Sequence, residues 1–244
     1  MSDQPIIETR NLVKVYGLLP VLRKLNLSID TGQFVALLGP NGSGKSTLLR
    51  LLAGLTRPTS GTILVGGWEL PRQAAAVRAQ IGLVSHRVLL YENLTARENL
   101  RFFARLYALP AESSEDRINS MIERVGLRKR ADGLVRTFSR GMQQRLSIAR
   151  ALLHDPHVLL LDEPYTGLDQ DAAAVLDELV QEAQAGGHTL LMATHQLDRA
   201  ARLAQRVIIL SRGSIGYDAD ATALDGPTLA ATYAEVTGTI TARP

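Results

Sequence analysis

The chain has 244 residues, 45% hydrophobic and 21% charged, with a formal net charge of +3 and no cysteine. This suits one large globular domain, or one domain with an inserted lobe, and excludes disulfides and thiolate metal sites. The mild positive excess does not by itself argue for nucleic acid, and no apolar run approaches the roughly 18 residues a membrane-spanning helix needs. Met1 to Pro5 has neither a basic start nor an apolar stretch, so no secretion signal is expected. The absence of cysteine fits a cytosolic setting.

In chain order, Ile6 to Val15 and Val21 to Ile29 read as strands, with turns at Tyr16-Gly17 and from Asp30 to Gln33. Phe34 to Leu38 is an apolar run of strand length. It leads into Gly39-Pro40-Asn41-Gly42-Ser43-Gly44-Lys45-Ser46-Thr47, which satisfies G-x-x-x-x-G-K-[ST] in full. Ser46 to Leu55 follows with leucines at helical spacing. Strand, glycine-rich loop and helix are the order a phosphate cradle needs. Glycines let backbone N–H groups approach an anion, and the helix N-terminus points its unpaired N–H groups at the same place. Lys45 is expected on the β- and γ-phosphates and the Ser46 hydroxyl in a Mg²⁺ shell. A nucleoside triphosphate is the ligand this loop predicts.

A turn spans Thr56 to Gly61, then a short strand runs from Thr62 to Val65 and is closed by Gly66-Gly67. Ile81 to Ser85 is another strand. From His86 the spacing becomes helical: Leu94 to Leu109, with Thr95 before Glu98 as a capping box, then Ser114 to Val125, then Ser139 to Leu153. These three helices read as a lobe inserted into an otherwise alternating α/β chain. The basic stretch from Arg124 to Arg140 is either a solvated face or a contact for acidic headgroups or a partner.

Alternation resumes with Val158 to Leu161, whose unbroken apolar character predicts a buried parallel strand. A helix is expected over Gln170 to Ala185, a strand over Thr189 to Ala193, a helix over Leu197 to Ala204 and a strand over Val207 to Leu210. A last hairpin arm lies near Ile215 to Tyr217. The tail from Asp218 holds one helix, Thr228 to Val236, and then frays.

Asp162 and Glu163 follow the buried strand, at the end where open α/β sheets bind ligands. An apolar strand has no packing reason to deliver two adjacent acids. Asp162 is expected to hold Mg²⁺, through water, and Glu163 to orient and deprotonate the attacking water. His195 also follows a strand, and its imidazole N–H could donate to a developing anion on the γ-phosphate. The other four histidines form no metal set, and His154 and His157 flank a turn.

Together these motifs resemble the ATP-binding subunit of an ATP-binding cassette (ABC) transporter, from Ile6 to about Tyr217. Phe138 to Arg145, followed by Ile148 to Leu152, is similar to the family's signature motif, LSGGQ followed by QR. Thr166-Gly167-Leu168-Asp169 is similar to the loop that crosses the family's dimer interface, and Tyr16 stands where the family stacks an aromatic ring on adenine.

The fold this implies is α/β: a P-loop NTPase (RecA-like) core with an N-terminal antiparallel β subdomain and an inserted α-helical subdomain. Residues 1–85 and 156–217 would form the core with the β subdomain, 86–155 the helical subdomain and 218–244 a tail, all within one ATP-binding domain. The resemblance also implies two subunits closing head to tail around ATP and Mg²⁺, with Ser139 and Gly141 meeting the γ-phosphate from across the interface and Asp169 lying in it. Closure would drive an integral membrane partner, placing the chain in the cytoplasm, peripheral at the inner face of the membrane and touching it only through that partner.

Two departures from the family stand out. Arg140 replaces the signature's first glycine and Met142 its glutamine, while Ser139 and Gly141 are kept. His86 stands where the family usually has a glutamine, and imidazole is a poorer Mg²⁺ ligand than an amide oxygen, so at most a water-mediated contact is expected there. The stretch from His86 to Tyr107 is similar to the ATP-binding subunit of the haem exporter of cytochrome c maturation. Haem export is thus the expected activity. The alternatives are an ABC-2-type exporter of a drug, lipid or polysaccharide, or a soluble non-transport ABC ATPase. A regulatory module that binds ATP without cleaving it would usually have lost Glu163 or His195, and both are present.

Overall fold

The structure, a computed structural model, describes residues 4–85, 88–221 and 225–238. The expectation at His86 falls outside these residues.

The chain opens with an antiparallel hairpin of β1 (Ile7–Tyr16) and β2 (Leu19–Ile29), then β3 (Phe34–Leu38) and α1 (Lys45–Leu52). After β4 (Ser60–Val65), β5 (Trp68–Leu70), α2 (Ala74–Ala79) and β6 (Ile81–Val84) come three helices: α3 (Ala96–Leu106), α4 (Ala111–Arg124) and α5 (Arg140–Leu152). Alternation returns with β7 (Val158–Asp162), α6 (Gln170–Ala185), β8 (Thr189–Ala193) and α7 (Leu197–Leu203). The chain then runs through β9 (Arg206–Ser211), β10 (Ser214–Asp220) and α8 (Gly226–Thr237).

Two sheets result. An antiparallel sheet has the order β2-β1-β4-β5. A second sheet has the order β10-β9-β3-β8-β7-β6, parallel except for the β9–β10 edge. Every residue of β3, β7 and β8 is buried, as parallel strands covered on both faces must be. Alternate residues serve different cores. Val35 and Leu37 pack with α1 and the antiparallel sheet, whereas Phe34, Ala36 and Leu38 join the apolar cluster of α3 to α6. The parallel sheet thus separates two cores, and α1 lies in the core that the two sheets share.

Sequence and structure differ at a few ends. Helix α1 stops at Leu52 rather than Leu55 because Gly54 takes φ +64 and the Leu55 N–H reaches back to Arg50 O at 2.9 Å, a left-handed stop. Strand β5 and helix α2 are additions. Gly66 and Gly67, at φ +58 and +81, do not merely close β4; they turn it into β5, with Val65 paired to Trp68. Helix α3 carries the expected capping box: Thr95 Oγ1 accepts from the Glu98 N–H and Glu98 returns a bond to the Thr95 N–H. Strand β10 runs past Tyr217 to Asp220, and α8 is docked, with Leu229 fully buried.

Helix α5 belongs to the inserted helices by sequence position, yet it lies against the parallel sheet. A Cβ at Gly82 on β6 would stand 2.3 Å from Ala151 O, so only glycine permits that approach. Arg150, buried on the same helix, donates to Leu89 O at 3.0 Å and to Leu83 O, and stacks on Phe103. The C-terminal turn of α5 is therefore held against the sheet.

Candidate nucleotide site

The loop between β3 and α1 is built for an anion. Gly39, Gly42 and Gly44 have φ of +152, +81 and +113, and a Cβ at Gly39 would stand 2.3 Å from Leu210 O. The loop folds around its own lysine: Lys45 Nζ donates to Gly39 O at 2.6 Å and to Pro40 O at 3.3 Å. Burial holds the Lys45 pKa below its ordinary value, against the opposing pull of Glu163 and Asp162. Ser43 Oγ is buried with no hydrogen-bond partner among the described residues. Asn41, Gly42 and Ser46 are exposed, and Thr47 is half-buried on α1. A cradle that excludes side chains, an orphaned hydroxyl and a desolvated ammonium all fit a polyphosphate.

Strand β7 places Asp162 at its C-terminal end, opposite Ala193 of β8. Ser46 Oγ donates to Asp162 Oδ1 at 2.9 Å, joining the start of α1 to that strand end. Both residues line one cavity of about 420 Å³ with Leu83, Ser85 and Leu89. No group of three or more His, Asp or Glu suited to a metal occurs among the described residues. Mg²⁺ needs no such cage, since it keeps waters and takes phosphate oxygens beside one or two protein oxygens. Ser46 and Asp162 fit that requirement.

Glu163 adopts φ +51, a left-handed backbone that a residue with a Cβ tolerates only under constraint. Its N–H is fixed to Ala193 O at 2.9 Å, and its Oε2 lies 2.8 Å from His195 Nδ1. The carboxylate is mostly buried at 18% exposure and the imidazole is open at 61%. The pair therefore presents a held carboxylate beside a solvent-facing ring.

The remaining expected residues lie apart from this cluster. Tyr16 ends β1 with its ring half-exposed, and Lys14 Nζ sits 4.6 Å over the ring, leaving one face for a stacking partner. Ser139 caps α5, accepting from the Met142 N–H at 3.3 Å, and Asp169 caps α6, accepting from the Ala172 N–H at 2.8 Å. Each is bonded within its own helix start rather than to the phosphate loop. Gly141 lies beside Leu168, and the Arg140 side chain lies over Gly167, where a Cβ would come within 2.8 Å of its Cδ. The arginine that departs from the family pattern thus seals the Thr166–Asp169 turn.

Two further links have no local sequence signal. Buried Gln144 donates to Pro164 O at 2.9 Å, tying α5 to the residue after Glu163. Its burial follows from helix phase, because Gln144, Ile148 and Ala151 share one face of α5. Gln144→Ala strands a buried carbonyl and is expected to lower stability by about 1–3 kcal/mol, read by denaturant unfolding. From the far end of the chain, α8 brings Tyr233 to the site: burial, then the Glu163 charge, raise its phenol pKa. By contrast, His154 stacks on Tyr107 at 3.7 Å and burial pushes its pKa down to about 4, so it is a packed, neutral side chain.

The sequence profile described as ABC transporter matches residues 22–166, from β2 through the loop after Glu163. The chain belongs to the ABC transporter family. A Nod factor export ATP-binding protein I of Cupriavidus metallidurans is 39% identical over 85% of this chain and 69% of its own length. The ABC transporter ATP-binding protein NatA of Bacillus subtilis is 39% identical over 80% of each chain. Among solved structures, a dimeric post-hydrolysis state of the ATP-binding cassette MJ0796 bound to ADP and Pi superposes with a TM-score of 0.82 at 28% identity, covering 88% of this chain and 98% of that one. The chain is an ATP-binding cassette, an ATPase of ABC transporters. No helix among the described residues is long and apolar enough to cross a membrane.

Proposed function

We propose that this cassette hydrolyses ATP to power an exporter whose membrane-embedded subunits are separate chains. The observation that carries the reading is the convergence of the Ser46–Asp162 and Glu163–His195 pairs at the ends of β7 and β8, beside the phosphate loop. The loop N–H groups and Lys45 bind the triphosphate, with Tyr16 stacked on the base. Ser46, with Asp162 through water, would hold Mg²⁺, whose charge would offset that of the phosphates. Glu163 takes a proton from the attacking water, and His195 holds the carboxylate in line and donates toward the terminal phosphate.

Two copies pair head to tail, each offering Ser139 and the Gly141 N–H at the start of α5 to the other's nucleotide, with Asp169 in the interface. That the MJ0796 cassette is dimeric with ADP and Pi bound supports pairing of two copies. Hydrolysis removes the bridging charge, the copies part, and the motion passes to the membrane subunits at the inner face of the membrane. Nucleic acid has no part in this reading.

The cargo expectation changes. The relative whose name states a cargo is an exporter of Nod factor, so haem export gains no support from it, and the reading becomes export of a drug, lipid or polysaccharide. The test is ATP hydrolysis by the full chain reconstituted in liposomes with its membrane subunits. Turnover that rises with an exported amphiphile and ignores haem is expected, whereas selective stimulation by haem would reverse the cargo assignment.

A further inference from the structure

Asp177, at the middle of α6, gathers side chains from two other elements. Its Oδ1 accepts from the Tyr165 hydroxyl at 2.7 Å and from Arg199 Nη1 at 2.7 Å, and its Oδ2 accepts from Arg202 Nη2 at 2.6 Å. The Arg199 guanidinium also lies 4.0 Å over the Tyr165 ring. The Tyr165 and Arg199 contacts are not loose surface pairs, which are worth little: Tyr165 is buried, and the Asp177 and Arg199 side chains are 18% and 22% exposed, whereas Arg202, at 61%, completes the cluster from its solvent side. Burial and then Asp177 push the Tyr165 pKa upward, so the phenol keeps its proton and donates.

The placement gives the cluster its meaning. Tyr165 lies two residues after Glu163, and Arg199 lies four after His195. On the sheet side both loops are already pinned, by the Glu163 N–H to Ala193 O and the Thr194 N–H to Leu37 O. Away from the sheet, the loop after β7 and helix α7 are joined through Asp177 on α6. The separation of Glu163 and His195 is therefore set from both sides.

We propose that Asp177 is a positioning residue for hydrolysis: by holding Tyr165, Arg199 and Arg202 together it fixes the distance and angle between the Glu163 carboxylate and the His195 ring. The proposal rests on the roles given above to those two residues. A positioned base is sensitive to small displacements, because a shift approaching 1 Å can lower a rate a hundredfold. A neutral amide at position 177 leaves both arginines without their counter-charge and lets α7 drift.

The experiment measures steady-state ATP hydrolysis by the full chain for wild type, Asp177→Asn, Tyr165→Phe and Glu163→Gln, with Tm and the folded fraction of each. Asp177→Asn is expected to lower kcat about tenfold with KM for ATP held within about twofold. Tyr165→Phe keeps the ring under Arg199 but loses the hydroxyl, so a smaller fall in kcat is expected, again without a change in KM. Wild-type kcat in both variants beside a silent Glu163→Gln overturns the proposal. So does a loss that disappears once the folded fraction is counted. Turnover surviving in Glu163→Gln would instead overturn the base assignment on which the proposal stands.

Discussion

Replacing Glu163 with glutamine lowers ATP turnover by about 10²–10⁴-fold and leaves nucleotide binding intact. The amide matches the carboxylate in size and can still meet His195 Nδ1, now 2.8 Å from Oε2, so the site keeps its shape. It cannot accept a proton from water. The charge removed also lies near Lys45, where it opposes the lowering of that lysine's pKa, and near the position of a triphosphate that it repels. ATP affinity in the variant is therefore expected to hold or tighten, and ATP-bound dimers to accumulate. Single-turnover hydrolysis and nucleotide titration separate the two effects, and unchanged turnover would take Glu163 out of the role of base. His195→Ala should fall less far, since it removes a partner of the base and not the base itself.

The phosphate loop and the acids after β7 were readable because their chemistry is local. The glycine spacing, the lysine and the flanking strand and helix occupy one continuous stretch, and the left-handed angles of Gly42 and Gly44 follow from having no Cβ. Helices α3, α5 and α6 were legible for a similar reason: each has a cap within its first turn, at Thr95, Ser139 and Asp169, and an apolar stripe behind it. Strand β5 is only three residues long, below the length at which alternation can be counted, and α2 is six residues rich in alanine. Only the Gly66-Gly67 turn signalled them.

What stayed hidden were contacts between distant positions. Gln144 with Pro164, Asp177 with Tyr165 and Arg199, and Tyr233 near Glu163 join residues from 12 to 70 positions apart. A side chain whose partner arrives through tertiary packing leaves no periodicity behind. Asp169 illustrates the converse. Its place in a family motif points across an interface, while within one chain it already has work as the cap of α6. The cargo reading rested on a stretch beginning at His86, whose similarity to one subfamily is a matter of side-chain identity and not of fold, and the relatives point elsewhere.

Lys45→Ala is expected to weaken ATP binding by about two orders of magnitude or more. In the free chain the ammonium is buried, satisfied by two loop carbonyls, and held below its ordinary pKa by desolvation. Phosphate oxygens offer the ammonium anionic acceptors in place of neutral carbonyls, and hydrogen bonds to charged groups are worth about 1.5–3 kcal/mol each. The loss should far exceed any change in fold stability. Alanine strands the Gly39 carbonyl, which destabilises, yet it also removes a desolvated charge, which relieves the loop, and the two oppose each other. A Tm near wild type with lost ATP binding is the expected pattern; ATP affinity near wild type would show that the loop N–H groups alone hold the phosphates. The same lysine sets a pH dependence of known sign. Bound phosphate raises its pKa from the lowered free-state value, so affinity is full while Lys45 is protonated and falls as pH rises through that value. Titration of wild type should show this alkaline loss, and Lys45→Ala, having no proton to lose there, should show a flat profile.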